Sequence, residues 1–301
     1  MKIVAHSQFK RPENDLQFFK NWVIELETQN GYKYDKVIIN TLLGQTQVYG
    51  FNLQNEELET IVIFPGFRTT SLIWDLDRGL KKLAKLYRIF MIETNGQPNL
   101  SDGNSPAIKS LDYGHWANDI FDKLNIKKAY TVGASFGGIV CMKLAITNPE
   151  RIKATFLLNA GCLQPFSMSF SNLYYNLLPA IFPSKKNVSK FLDKAIFSKP
   201  NHKLTQQGEA LLSQYLLFCL KQFKDKTEKP YYMREELSEV TVDTYLLQGN
   251  KDILFPVQRS INNAKRYISS IIDVKTFNNV GHGIETLDAA IAYIDESIRQ
   301  R

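Results

Sequence analysis

Residues 133–137 read Gly133-Ala134-Ser135-Phe136-Gly137, directly after the run AYTV and directly before the apolar run GIVCMKLAI. With 16 glycines and 18 serines in the chain, a G-x-S-x-G string is expected by chance about 0.05 times, and the required strand before and helix after make coincidence rarer still. A serine on so tight a strand-to-helix turn has strained backbone angles, and small residues two positions to either side let strand and helix approach. Gly133 and Gly137 meet that need. The turn pushes the hydroxyl into the open above the sheet and aims the next amide, Phe136 N–H, at the same spot, where the helix N-terminus adds positive potential. A phosphate-binding loop is the other use of a glycine-rich turn, but no G-K-[ST] follows and the chain lacks G-x-G-x-x-G. The chemistry on offer is nucleophilic attack by Ser135.

A serine hydroxyl is a weak nucleophile at neutral pH and needs an adjacent base. The chain has four histidines. His6 belongs to an N-terminal arm, His115 to the helix before the serine's strand, and His202 to a separate helical stretch. His282, in NNVGHGIE, follows the last strand pattern and precedes the last helix, at a strand C-terminus where parallel sheets gather their active groups. The glycines on either side of it suit an exposed loop. A histidine base in turn needs a carboxylate to hold its tautomer. Asp252 lies on the loop after the strand TYLLQ, while Asp243 stands at the wrong end of that strand and Glu285 follows the histidine too closely. The order along the chain is Ser135, Asp252, His282.

The elements that must position these residues alternate from residue 36 onward. Lys36–Asn40 and Gln47–Asn52 read as an antiparallel pair. Thr60–Phe64, Arg88–Glu93, Ala129–Val132, Ala154–Asn159, Thr244–Gln248 and Val274–Asn278 read as buried parallel strands. Residues 111–124 and 286–298 have helical spacing. The expected fold class is α/β: a mostly parallel central sheet covered by helices on both faces. The alternation breaks between residues 159 and 244, where an aromatic-rich, proline-punctuated stretch reads helical. This divides the chain into an N-terminal arm or helix (1–35), a core (36–162 and 239–301) and an inserted helical cap (163–238). Aromatic residues of the cap would favour an apolar acyl or alcohol group.

Nucleophile, acid and base in that order resemble the α/β-hydrolases. The resemblance runs from Thr60–Phe64 to the C-terminus. Within it, DYGHWANDIFDKLNIKKAYTVGASFGG through NPERIKATFLLNAG is similar to small bacterial carboxylesterases of the naproxen-esterase kind. The resemblance implies the α/β-hydrolase fold and a second oxyanion donor on the loop Phe64-Pro65-Gly66-Phe67, namely Phe67 N–H beside Phe136 N–H. Pro65 stands where the family commonly has a histidine. A serine at 135 departs from the haloalkane dehalogenases and epoxide hydrolases of this fold, which use aspartate, and the oxyanion motif of its proline aminopeptidases is missing. The implied activity is carboxylic-ester hydrolysis. A thioesterase, lactonase, C–C bond hydrolase, acyltransferase or hydrolase-derived receptor would carry the same residues.

Composition agrees with a protein folded in water: 301 residues, 44% apolar and 22% charged, with no apolar run near the roughly 18 residues of a membrane span. The N-terminus lacks a secretory pattern, and three cysteines, Cys141, Cys162 and Cys219, suggest neither a disulfide framework nor a zinc site. A cytoplasmic location is expected. The net charge of +7, more than half of it in the stretch 163–238, comes without a recognisable nucleic-acid-binding module. Expected partners are a small-molecule ester, with neither nucleic acid nor membrane, in a monomer or homodimer. The chemistry requires no metal or organic cofactor. Arg68, next to the oxyanion loop, reads as a solvated side chain or an attractor of anionic substrate.

Overall fold

The computed structural model describes residues 3–4 and 8–301; His6 lies outside the described residues. Eight strands form one sheet: β1 (Asp35–Thr41), β2 (Gly44–Phe51), β3 (Thr60–Phe64), β4 (Arg88–Ile92), β5 (Ala129–Ala134), β6 (Ile152–Leu158), β7 (Thr244–Gly249) and β8 (Ile271–Phe277). Their spatial order is β8-β7-β6-β5-β3-β4-β2-β1, and β2 alone runs against its neighbours. Every residue of β3, β4, β5 and β7 is buried, as their unbroken apolar runs require of strands covered on both faces.

The last strand differs from the buried strand expected at 274–278. β8 begins three residues earlier, and of its seven residues only Phe277 is buried. It has β7 on one side and no strand on the other, so its alternation IIDVKTF is that of an edge, with Asp273, Lys275 and Thr276 in water.

Helices α1 (Pro12–Asn30), α2 (Asp112–Lys123), α3 (Phe136–Thr147), α7 (Val257–Tyr267) and α8 (Asp288–Arg299) accompany the sheet. Ten of the twelve residues of α3 are buried, nine of them without a polar side chain, as its almost unbroken apolar run requires of a helix covered on every side. Between β6 and β7 lie α4 (Phe170–Ile181), α5 (Lys185–Phe191), a π-helical turn (Leu192–Ile196), α6 (Gln206–Gln222) and a 3₁₀ turn (Arg234–Glu239). The N-terminal helix packs against this insertion. Phe18 stacks on Phe218 at 3.9 Å between centroids, and Trp22 donates its indole N–H to the Leu211 carbonyl at 3.0 Å. Phe19, Trp22, Val23 and Leu26 of α1 are buried, each worth about 2 kcal/mol in transfer free energy.

Strand register brings the loops of the candidate residues together. Ala134 pairs with Leu158, Leu158 with Leu247, and Phe277 with Gly249. The loops carrying Ser135, Asp252 and His282 therefore leave the same C-terminal edge of adjacent strands.

Candidate active site

Ser135 closes β5 and caps α3 with φ 51° and ψ −112°, a conformation that a residue with a Cβ adopts only when its surroundings enforce it. Its N–H donates to the Leu158 carbonyl at 2.9 Å, and its carbonyl accepts from Gly138 N–H at 3.1 Å and Gly161 N–H at 2.9 Å. The two elbow glycines are sites of close approach. A Cβ on Gly137 would overlap the Phe64 carbonyl, and one on Gly133 would overlap the Gly137 carbonyl. Ser135 itself is half-buried.

His282 and Asp252 meet: Nδ1 lies 2.7 Å from Asp252 Oδ2. The other carboxylate oxygen, Oδ1, accepts from Leu254 N–H at 2.8 Å and Phe255 N–H at 3.1 Å, so the acid is fixed on both sides. Burial pulls the His282 pKa down, but the Asp252 charge and hydrogen bond outweigh it and leave the pKa above the ordinary histidine value. Glu285, also pushed up by burial, faces the imidazole electrostatically without bonding to it.

His282 is buried rather than exposed. Its N–H donates to the Ala195 carbonyl at 3.3 Å, and Gly283 N–H donates to the Ile196 carbonyl at 2.9 Å. A Cβ at Gly281 or Gly283 would overlap Ile196. The flanking glycines thus serve the close seating of the π-helical turn on the histidine loop, a contact between distant segments that local sequence does not announce.

No hydrogen bond joins Ser135 to His282 among the described residues, and such bonds are often long before substrate binds. The two are linked through residues 159–161 and 255. Asn159, fully buried at φ 42°, donates from Nδ2 to the carbonyls of Gly281 and His282, both at 3.0 Å, and accepts from Gly249 N–H at 2.9 Å. It directly follows Leu158, the residue that receives the Ser135 amide. The Phe255 ring centroid lies 5.6 Å from that of the imidazole, and the ring edge stands close to Gly161. Sequence reasoning took Asn159 as the last residue of a strand. The available signal was an amide side chain at a strand C-terminus, of a type that tolerates positive φ.

The loop expected to supply the second oxyanion donor faces the serine: a Cβ on Gly66 would stand 3.7 Å from Ser135 Cβ. The Phe67 and Phe136 rings are 5.9 Å apart, and neither residue's N–H has a hydrogen-bond partner among the described residues. Gln97 Oε1 accepts from Arg68 N–H at 2.7 Å. Glu93, fully buried, accepts at Oε1 from the hydroxyls of Thr70 and Ser71, bracing the same loop, while its Oε2 has no partner. Burial pushes the Glu93 pKa up to about 7. Arg68 is ion-paired with Asp225, which leaves little charge for a substrate.

The remaining histidines and acids lie elsewhere. His115 is exposed on α2, and His202 is buried against Thr286 and Phe197, its pKa pulled down to about 4 by burial. Asp243 pairs with Arg301. Among the described residues no cluster of His, Cys, Asp or Glu is arranged to hold a metal ion, and no helix is long and apolar enough to cross a membrane.

The comparisons agree with this architecture. Residues 59–284 match the sequence profile of the alpha/beta hydrolase fold. A protein described as the uncharacterized carboxylesterase nap of Bacillus subtilis is 24% identical over 255 residues, covering 81% of this chain and 79% of the relative. A 2-hydroxy-6-oxononadienedioate/2-hydroxy-6-oxononatrienedioate hydrolase of Pseudomonas putida is 23% identical, covering 77% and 84%. The crystal structure of naproxen esterase from Bacillus subtilis superposes with a TM-score of 0.77 at 22% identity, over 95% of this chain and 98% of that one. By its sequence profile and its sheet, the chain belongs to the alpha/beta hydrolase fold family.

Proposed function

We propose that the protein is a serine hydrolase that cleaves carboxylic esters of small apolar substrates through an acyl-enzyme. The reading rests above all on the 2.7 Å bond between His282 Nδ1 and Asp252 Oδ2, on a loop beside a serine elbow. In the tautomer with the proton on Nδ1, Nε2 keeps its lone pair and is the base. It takes the Ser135 Oγ proton as Oγ attacks the ester carbonyl carbon. The resulting oxyanion is held by the Phe67 and Phe136 N–H groups, donors that each contribute on the order of 3 kcal/mol in such sites. Collapse expels the alcohol, which receives the proton from Nε2–H. Water then repeats the sequence on the acyl-enzyme, releasing the carboxylic acid and free Ser135.

The ester preference draws on the similarity to carboxylesterases. The apolar preference draws on the side chains beside His282: Phe255 packs with Ala195, Leu254, Tyr175, Phe191 and Ile253. In this reading residues 163–238 act as a cap on a core of 36–162 and 239–301, with 1–35 as an N-terminal arm whose helix α1 packs on the cap. The three cysteines, buried with free thiols, suit a cytoplasmic location.

Hydrolysis of p-nitrophenyl esters of increasing acyl length tests the proposal. The expected result is turnover with the wild type, faster on apolar short to medium chains than on charged esters, and none with Ser135→Ala. Equal rates for wild type and Ser135→Ala would sink it, and ligand binding without turnover would point to a receptor.

A further inference from the structure

Helix α4 turns an apolar face to solvent. Phe170 is 85% exposed, Tyr174 45%, Leu177 51% and Ile181 61%, and their spacing of four, three and four residues makes one stripe along the helix. Met168 before the helix and Phe182 after it, 74% and 64% exposed, extend the stripe at both ends. The opposite face is fixed in the protein, with Asn172 and Pro179 buried. Scattered apolar residues on a surface are ordinary, whereas a continuous stripe marks a contact.

Along the chain, the charge next to the stripe is of one sign as far as residue 192. Residues 163–192 contain no Asp or Glu. Lys185, Lys186, Lys190 and Lys194 are exposed on α5 and the turn after it, and none is in a salt bridge among the described residues. The first carboxylate downstream, Asp193, is held by Lys199 at 2.8 Å. A partner for this face must be both apolar and anionic. A second copy of the chain meeting it across a two-fold axis would present the same acid-free patch and leave the lysines without counter-charge.

We propose that α4 and the start of α5 dock the protein peripherally on an anionic lipid surface. Phe170, Leu177, Ile181 and Phe182 enter the boundary between headgroups and acyl chains, and the lysines meet the phosphates. The expectation of no membrane partner weighed spanning segments, which a helix lying in the interface plane does not need. Ser167 N–H donates to the Leu254 carbonyl at 2.9 Å, and Phe166 stands edge-on to Phe255. Docking therefore turns the loop of Asp252 toward the lipid. The inference goes beyond the esterase reading and does not rest on it.

Co-sedimentation with vesicles of phosphatidylglycerol and phosphatidylcholine, against phosphatidylcholine alone, tests it with the full chain. The wild type is expected to sediment with the anionic vesicles and not with the neutral ones. Phe170→Asp/Ile181→Asp and Lys185→Glu/Lys186→Glu are each expected to weaken partition at least about tenfold, as is raising salt. The charge variant leaves the apolar stripe intact, so a folding defect in the other variant does not decide the outcome. Hydrolysis of a soluble short-chain p-nitrophenyl ester should be unchanged in both. The proposal is overturned by a wild type that ignores anionic vesicles or binds neutral ones equally, by variants that sediment like wild type, or by a dimer that Phe170→Asp/Ile181→Asp dissociates. Vesicle binding without ester turnover would uphold it while defeating the esterase reading.

Discussion

Replacing Asn159 with alanine separates a residue that positions the base from one that merely fills space. Its side chain makes three buried hydrogen bonds, two to the carbonyls of Gly281 and His282 and one from Gly249 N–H. At about 1 kcal/mol net for each bond, their loss destabilises the fold by about 3 kcal/mol, with a further cost because alanine is poorly suited to the positive φ. The two carbonyls released belong to the loop that carries the proposed base, His282. A shift of order 1 Å in a catalytic group costs about 100-fold in rate, so kcat is expected to fall between about tenfold and 100-fold with KM little changed. Urea denaturation reads the first effect and steady-state hydrolysis of a p-nitrophenyl ester, far below the unfolding midpoint, reads the second. Asn159→Asp keeps the size and the acceptor but removes both donors, so it should lower kcat as well. A stability loss with kcat untouched in both variants would refute the positioning role.

Other perturbations follow from the same contacts. Because Asp252 holds the His282 pKa above the ordinary value of about 6.5, and the base must be neutral, kcat/KM should fall on the acid side with an apparent pKa above that value. Asp252→Asn leaves burial opposed only by the weaker effect of the Glu285 charge, so the acid limb should move to lower pH while the plateau drops by on the order of 10³-fold or more; an unmoved limb would count against the assignment. Glu93 retains its proton up to about pH 7 in the folded state but only to about 4.5 when unfolded, so wild-type stability falls as pH rises through that window. Glu93→Gln should therefore gain on wild type between pH 5 and pH 8 in urea titrations, by at most on the order of 3 kcal/mol; an equal difference at both would contradict it. Gly137→Ala drives a methyl into the Phe64 carbonyl and should cost several kcal/mol, seen as loss of soluble, cooperatively melting protein.

Much of the core was legible because it is written in short-range patterns. Apolar runs such as IVIF and TFLL became buried strands, and G-x-S-x-G between a strand and a helix became the turn at Ser135 with its unusual backbone angles. What local pattern cannot carry is contact between distant segments. The seating of Ala195 and Ile196 on the His282 loop, the three bonds of Asn159 and the brace from Glu93 to Thr70 and Ser71 each join residues that no periodicity relates. The exposed stripe on α4 has the same origin: the helical spacing of Phe170 and Tyr174 does not say whether any neighbour covers them, and both are exposed. β8 was misjudged in burial because VKTF fits a strand without saying which side of the sheet has run out of partners.

The central claim is that Ser135 is a nucleophile activated by His282. Fluorophosphonate labelling followed by peptide mass mapping tests it without assuming a substrate. The account predicts one adduct, on Ser135, absent in Ser135→Ala and formed far more slowly in His282→Ala. An adduct on another residue, or labelling of Ser135 at the wild-type rate once His282 is gone, would contradict it.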